Sequence, residues 1–310
     1  MSIVEFPEHN VGPKWKGERV GYFRDAAGYA RYRDAYRAGF ELLPAPKETV
    51  DVPTDRGTVR AYRFGSGSGT PLVLLPGRQS ATPLWVSNLP GLLALGRPVI
   101  TIDLLGEPGA SVQSAPIADG REQADWLAAA LLALEPGPVH LLGVSIGGWS
   151  AVNLAVHHPD RVASLAILDS PFVFGGVSPK MIVVSLGSVL PGMPESWRDT
   201  LLSWISGGAR TPRDSPEGRL IASGMRDFAA FLPMTKKPDR QQLSALGKPF
   251  LGIFAGRSIV HRANRIAARA RKLLPAARIE VWPEASHAIN GEFPDRIATR
   301  VGEFLTEIDG

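Results

Sequence analysis

The sequence predicts an α/β fold with a doubly wound, mainly parallel sheet that carries helices on both faces. Short apolar runs alternate with segments of helical periodicity along most of the 310 residues. This rhythm is typical of parallel strands that are connected by helices. Continuous apolar runs such as Leu72–Leu75 are typical of strands that are buried on both faces of such a sheet. In this fold class we expect ligand chemistry at the carboxyl ends of the strands.

Residues 1–47 are predicted to precede the sheet. Residues 1–17 hold several prolines, glycines and charges and are expected to form an arm. From Glu18 to Leu43 the pattern is helical, and aromatic residues at spacings of seven, three and four form one stripe: Tyr22, Tyr29, Tyr32, Tyr36 and Phe40. We expect this helix to pack on the main domain. A lip over the mouth of the active site is the alternative.

The core domain is predicted from residues 48–170 and 247–310. Its first strands form a pair, Thr49–Pro53 and Thr58–Phe64, which are joined by a turn at Asp55–Gly57. The other predicted strands are Leu72–Leu75, Pro98–Asp103, Val139–Val144, Val162–Leu168, Phe250–Ala255 and Arg278–Trp282. The predicted helices are Leu84–Leu95, Arg121–Leu134, Ile146–His157, Ala263–Leu274 and Asp295–Ile308.

Residues 171–246 interrupt this alternation with many Gly, Pro and Ser residues. We predict a mostly helical cap here, inserted between two late strands of the sheet. Its apolar side chains are expected to line a substrate pocket, because binding clefts are mostly apolar. Packing within the cap itself is the alternative. The side chains concerned are Trp197, Trp204, Met225, Phe228, Phe231 and Met234.

Composition excludes several classes of protein. The chain has no cysteine, which excludes disulfides, a thiol nucleophile and thiolate metal sites. No apolar run approaches the roughly 18 residues that a membrane span needs. The N-terminal stretch MSIVEFPEHN has no apolar region of the kind found in signal peptides, so we expect a cytoplasmic protein. A formal charge of only +4, without basic runs interleaved with aromatics, argues against a nucleic-acid partner. Composition leaves the oligomeric state open.

The stretch 139–149 predicts a nucleophile elbow. An apolar run ends in Gly143-x-Ser145-x-Gly147, and a helical pattern follows at once. A serine on a sharp strand-to-helix turn needs small residues two positions before and after it, because the turn crowds the backbone. The turn exposes the Ser145 hydroxyl, and the N-terminus of the new helix faces the developing negative charge. We therefore predict that Ser145 is the nucleophile.

A serine nucleophile needs a base and an oxyanion hole. We predict His287 as the base, because it lies just past the last strand and so at the same sheet edge as Ser145. The amide of Ile146 is the expected first oxyanion donor, and the backbone N–H of Arg78, in the loop after Leu72–Leu75, is the second. The histidines that compete for the role of base are His9, His140, His157, His158, His261 and His287.

Over roughly residues 48–308 the chain resembles the α/β-hydrolase fold family, and within it the branch of carboxylesterases and related ester or carbon–carbon bond hydrolases. The resemblance implies a small-molecule substrate and neither a metal nor an organic cofactor. A His-Gly pair usual in the family is Pro76-Gly77 here, which we regard as a minor change. Residues 18–57 also resemble the lead-in of one bacterial esterase-like group. The matching stretches are LVLLPG at 72–77, VITIDLLGEPGAS at 99–111, LLGVSIGGWSAVNLA at 141–155 and EASHAI at 284–289.

The acid of the triad is missing from its usual place in this family. It normally follows the strand that corresponds to Phe250–Ala255, yet no Asp or Glu occurs from Arg240 to Ile279. Asp169, at the end of the strand Val162–Leu168, is our predicted replacement, with a turn-capping role as the alternative. Glu284 is a weaker candidate. Asp103, across the nucleophile strand, is interpreted as structural.

Two functions follow from these residues. The first is a serine hydrolase that cleaves a small carboxylic ester, lactone or thioester through an acyl-enzyme on Ser145. The second, suggested by the missing acid, is a non-hydrolytic lyase, isomerase, cyclase or small-molecule receptor on the same scaffold. Rapid reaction of Ser145 with a fluorophosphonate would separate the first function from the second.

Overall fold

A mainly parallel sheet forms the centre of the computed structural model, which describes residues 5–178, 181 and 215–309. The order of its strands is β11-β10-β8-β7-β4-β5-β3-β2, and β6 pairs with β3. A separate antiparallel pair joins β1 to β9. The strands are β1 (Tyr22–Phe23), β2 (Glu48–Thr54), β3 (Gly57–Phe64), β4 (Leu72–Leu75), β5 (Val99–Ile102), β6 (Val112–Gln113), β7 (Val139–Val144), β8 (Val162–Leu168), β9 (Phe228–Ala229), β10 (Phe250–Ala255) and β11 (Arg278–Trp282).

Helices cover both faces of this sheet. Two hydrophobic clusters result, because successive side chains of a buried strand point to opposite faces. Leu72 and Leu74 of β4 belong to one cluster, and Val73 and Leu75 belong to the other. The helices within the described residues are α1 (Ala26–Phe40), α2 (Leu89–Leu93), α3 (Gly120–Leu134), α4 (Ile146–His157), α5 (Pro216–Asp227), α6 (Arg240–Ser244), α7 (Ala263–Leu273), α8 (Ile289–Glu292) and α9 (Pro294–Asp309).

The strands that position the site run parallel. β7 lies between β4 and β8, and β10 lies between β8 and β11. All residues of β4, β7 and β10 are buried, as expected of strands covered on both faces. The carboxyl ends of β4, β7, β8, β10 and β11 therefore meet at one edge of the sheet, and the loops after them face a common space.

Two predicted helices differ from the structure. The helix predicted from Glu18 begins at Ala26 instead, because the side chain of Asp25 caps it by accepting from the amide of Gly28 at 2.7 Å. Tyr22, assigned to the aromatic stripe, lies in β1 and pairs with Ala229. The predicted helix Leu84–Leu95 is split into a 3₁₀ turn at Thr82–Trp85 and α2. Pro90 accounts for the split, since proline fits the first turn of a helix and not its interior.

Much of the predicted cap, at 179–180 and 182–214, lies outside the described residues, together with Trp197 and Trp204. In the described part, α5 packs on α1, where Asp227 pairs with Arg31 at 2.7 Å. Phe228 is buried against Phe23, with ring centroids 5.0 Å apart. Met234 is 87% exposed, so its expected role in lining an apolar pocket is wrong. The cap and the domain boundaries at 47, 170 and 246 stay predictions.

None of the helices in the described ranges is long and apolar enough to cross a bilayer.

Candidate active site

Ser145 lies on a strained turn between β7 and α4. Its backbone has φ 53° and ψ −120°, in the left-handed region that residues with a side chain rarely adopt. The amide of Ser145 donates to the carbonyl of Leu168 at 2.9 Å, which ties the turn to β8. A Cβ atom on Gly147 would collide with the carbonyl oxygen of Leu75, and one on Gly143 would collide with the backbone of Gly147. Glycine is therefore required on both sides of the serine.

His287 approaches Ser145 from the loop between β11 and α8. Its Nε2 lies 3.0 Å from the Ser145 Oγ. Glu292 fixes the loop, because its two carboxylate oxygens accept from the Ser286 amide at 2.7 Å and from the Ser286 hydroxyl at 2.9 Å. The imidazole is consequently held within hydrogen-bonding distance of the serine.

Asp169 lies behind His287 at the end of β8. Its Oδ2 is 2.6 Å from the Nδ1 of His287, and its side chain is completely buried. The backbone of Asp169 is also left-handed, with φ 45°, and its amide donates to the carbonyl of Ile253 at 2.8 Å. The other carboxylate oxygen, Oδ1, accepts from the amide of Ala255 at 2.8 Å. These bonds to β10 fix the direction of the carboxylate.

The carboxylate of Asp169 is ionised in this setting. Burial alone raises the pKa of Asp169, but the imidazoles of His261 and His287 outweigh it and hold this pKa below its usual range. A carboxylate accepts hydrogen bonds, so it favours the tautomer of His287 that carries its hydrogen on Nδ1. The Nε2 of His287 is then free to accept the proton of Ser145.

His261 is the residue at this site that the sequence reasoning missed. It belongs to the loop after β10, where the family's acid was expected, and its Nε2 lies 2.9 Å from the Oδ1 of Asp169. The side chain is 1% exposed. The available signal was a lone histidine in a stretch from Arg240 to Ile279 that has no acid. From the sequence alone, His261 is one of six candidate bases.

The loop after β4 lies against Ser145 on the side of the predicted oxyanion hole. A Cβ atom on Gly77 would be 3.7 Å from the Cβ of Ser145. The amide of Gln79 is already used, since it donates to Oε2 of Glu107 at 2.9 Å. Ile146 is the first residue of α4, so its amide has no acceptor within the helix. The assignment of the amides of Ile146 and Arg78 as the two donors stays a prediction.

The side chain of Arg78 turns to Glu107. Its Nη1 lies 3.3 Å from Oε1 of Glu107, whose side chain is only 1% exposed. Burial raises the pKa of Glu107, while the charge of Arg78 and the amide of Gln79 lower it. Arg78 and Glu107 line a small cleft beside the elbow, together with Ile146 and Leu232. The cationic group therefore borders the candidate site and is paired with a buried acid.

The other two acids weighed from sequence lie apart from His287. The carboxylate of Glu284 pairs with Arg296 and is half exposed. Asp103 is buried and accepts from the amide and the hydroxyl of Thr82, both at 2.7 Å, and from the hydroxyl of Tyr36 at 2.9 Å. These contacts fit the structural interpretation of Asp103.

Comparisons with known proteins relate most of the chain to one family. The sequence profile described as alpha/beta hydrolase fold matches residues 70–205. The pimeloyl-[acyl-carrier protein] methyl ester esterase of Aeromonas hydrophila subsp. hydrophila is 30% identical over 264 residues, which are 80% of this chain and 99% of that protein. Carboxylesterase YbfK of Bacillus subtilis is 24% identical over 281 residues, or 89% and 93% of the two chains. The crystal structure of naproxen esterase from Bacillus subtilis matches with a TM-score of 0.81 and 21% identity, covering 90% of this chain and 99% of that one.

Proposed function

This chain belongs to the α/β-hydrolase fold family, and we propose that it is a serine hydrolase that cleaves a small carboxylic ester, lactone or thioester through Ser145. One observation carries the proposal: Ser145, His287 and Asp169 are connected by contacts of 3.0 Å and 2.6 Å. The relatives named carboxylesterase and methyl ester esterase support a carboxylic ester as the substrate. A cytoplasmic location and a small-molecule substrate remain part of the proposal.

In the proposed acylation, the Oγ of Ser145 attacks the carbonyl carbon while its proton passes to Nε2 of His287. The electron pair of the carbonyl bond moves to oxygen, and the amides of Ile146 and Arg78 donate to that oxyanion. Collapse of the tetrahedral intermediate breaks the bond to the leaving oxygen or sulfur, which takes the proton from His287. The acyl group remains on Ser145.

Water completes the proposed cycle. It attacks the acyl carbon and gives one proton to His287, and the second tetrahedral intermediate collapses to the free acid as His287 returns that proton to Ser145. In both halves His287 becomes an imidazolium, which the buried charge of Asp169 stabilises. The carboxylate itself keeps no proton.

The non-hydrolytic alternative was suggested by the missing acid after β10. Asp169 supplies a carboxylate on Nδ1 of His287 from a neighbouring strand, at 2.6 Å. The missing acid after β10 therefore no longer supports the alternative, and no other feature of the described residues favours it.

Steady-state hydrolysis of p-nitrophenyl butyrate tests the proposal. Ser145→Ala and His287→Ala should each lower kcat/KM to near background, and the double variant should lose little more, because residues that act as one unit are strongly non-additive. Ser244→Ala, at the exposed end of α6, is the matched control and should keep full activity. If either single variant retained more than about a tenth of the activity, the assignment of the pair would be wrong, since losing the nucleophile or its base costs orders of magnitude.

A further inference from the structure

A second histidine contacts the carboxylate of Asp169, at the oxygen that His287 does not contact. His261 reaches Oδ1 with its Nε2 at 2.9 Å, while His287 reaches Oδ2 with its Nδ1 at 2.6 Å. The carboxylate is completely buried between the two rings. One acid therefore faces two imidazoles, of which the proposed mechanism uses only one.

His261 also packs against an aromatic side chain. Its ring meets Phe254 edge to face, with centroids 5.9 Å apart. Its Nδ1 is buried and has no hydrogen-bond partner among the described residues, and its Nε2 meets Asp169 at contact distance without the alignment of a full hydrogen bond. Burying an imidazole whose nitrogens lack aligned hydrogen-bond partners is costly, so the presence of His261 beside Asp169 needs an explanation. Attraction to the carboxylate provides one, with the hydrogen of the ring on Nε2.

The loop geometry explains why a histidine suits this place. In the family the acid comes from the loop after β10, whereas here it comes from β8, where Asp169 has a strained φ of 45°. His261 belongs to the loop after β10, and its Nε2 contacts Oδ1 of Asp169. Together with the amide of Ala255, it occupies Oδ1 from the β10 side, which leaves Oδ2 for His287.

We infer that His261 is a positioning residue, which acts on Ser145 through Asp169 and His287. By attracting Oδ1, it holds the carboxylate in the orientation that presents Oδ2 to Nδ1 of His287. The inference rests on the proposed function, because it concerns the same catalytic unit. His261 touches neither the substrate nor the reacting atoms.

Two variants of similar length test this inference. His261→Met removes the N–H donor, and His261→Gln retains an amide N–H close to the position of Nε2. We expect His261→Met to lower kcat about 10- to 100-fold, by analogy with the loss of a hydrogen-bonding partner behind a metal ligand. KM for p-nitrophenyl butyrate should hardly change, and His261→Gln should recover most of kcat. The far-downfield NMR signal of the His287 Nδ1 proton should move upfield in the Met variant and return in the Gln variant.

His140→Met is the matched control for losing a buried histidine. His140 is 1% exposed and contacts Ser164 at 2.8 Å, at the end of β7 that is remote from Ser145. Its replacement should lower the unfolding temperature and leave kcat unchanged. Wild-type kcat in a folded His261→Met variant would overturn the inference. Equal losses in the Met and Gln variants would also overturn it, because they would indicate a packing role only.

A second pair keeps the test decisive if His261→Met does not fold. His261→Asn is too short to place its amide where Nε2 lies, whereas His261→Gln is long enough, so equal kcat values for Asn and Gln would contradict the inference. A different result would contradict the proposed function, namely hydrolysis of p-nitrophenyl butyrate by the Ser145→Ala variant. Loss of activity in Ser145→Ala together with normal kcat in the His261 variants would remove the present inference alone.

Discussion

At the scale of single residues, Asp169 carries the negative charge on which the proposed base depends. Its carboxylate is completely buried, and two imidazoles and one backbone amide surround it. The pKa of Asp169 lies below its usual range despite burial, because the imidazoles of His261 and His287 favour the charged form. The ionised carboxylate of Asp169 therefore stabilises the folded chain above about pH 4. This stabilisation is lost as the pH falls toward the lowered pKa of Asp169.

Replacing Asp169 by asparagine should nearly abolish turnover without unfolding the protein. The amide keeps the size of the side chain but can favour the wrong tautomer of His287, and the same change in a serine protease lowers kcat by about 10⁴. The measurement is kcat for p-nitrophenyl butyrate, with thermal unfolding as the check on folding. Asp119→Asn, at the exposed cap of α3, is the control, because asparagine caps helices as well as aspartate does. Unchanged turnover in Asp169→Asn would exclude Asp169 from the catalytic unit.

The sequence could predict which residues meet at the candidate site, because their positions follow from the fold. Ser145, His287 and Asp169 each follow a parallel strand, and those strands end at one edge. The structure brings these three predicted residues together. The contact of His261 with Asp169 was not predictable, because it depends on how one loop folds back. The pairing of Arg78 with Glu107 likewise depends on side-chain directions that no local pattern specifies.

At the scale of elements, the turn between β7 and α4 depends on close backbone contacts. Gly147 meets the carbonyl oxygen of Leu75, and Gly148 meets the side chain of Ser170, so neither has space for a Cβ atom. These contacts let α4 begin directly at Ile146, with its first amides directed at the space beside Ser145. The glycines thus place the proposed nucleophile and one proposed oxyanion donor together.

Gly147→Ala should disrupt this turn. The added methyl group collides with backbone atoms of β4, which cannot move aside as a flexible side chain can. We expect a lower unfolding temperature and a large loss of kcat, measured by differential scanning calorimetry and ester hydrolysis. Gly137→Ala is the matched control, because a Cβ atom there meets nothing within 4 Å. Similar behaviour of the two variants would contradict the packing account of the elbow.

Element boundaries were predictable where burial sets them. The predicted bounds of β4, β7, β8 and β10 agree with the structure, since an apolar run ends where the strand leaves the core. Those of β11 agree as well, although this edge strand is buried only at Trp282. The start of α1 was not predictable from its aromatic stripe, because the pairing of Tyr22 with Ala229 is a contact between residues distant in sequence. The aromatic residues keep a helical spacing as far as Tyr22, although the helix itself begins only at Ala26.

At the scale of the whole molecule, the N-terminal arm is fastened to the loop after β5 and to β6. The Nε2 of His9 is 2.8 Å from the carbonyl oxygen of Gly109. The amide of Asn10 donates to the carbonyls of Gly21 at 3.0 Å and Gln113 at 2.7 Å. The arm was expected from composition, but the attachments to Gly109 and Gln113 join residues about 100 positions apart and could not be derived from the sequence.

The attachment of His9 should make stability depend on pH. Burial lowers the pKa of His9 to about 4, although the bond to Gly109 opposes this shift. Between its ordinary value of about 6.5 and 4, the unfolded chain takes up a proton that the folded chain does not, so stability falls as the pH falls. The unfolding temperature of the wild type should thus exceed that of His9→Gln by less at pH 4.5 than at pH 7. A difference that stays constant over this range would show that folding does not lower the pKa of His9.

The central claim is that His287 activates Ser145, and the rate at which a fluorophosphonate labels Ser145 tests it most directly. The probe reports the nucleophile without assuming which ester is the natural substrate. Peptide mass spectrometry over time should show rapid modification of Ser145 in the wild type, labelling slowed by orders of magnitude in His287→Ala, and none at this peptide in Ser145→Ala. An unlabelled Ser145 in the folded wild type, or a wild-type rate in His287→Ala, would contradict the account.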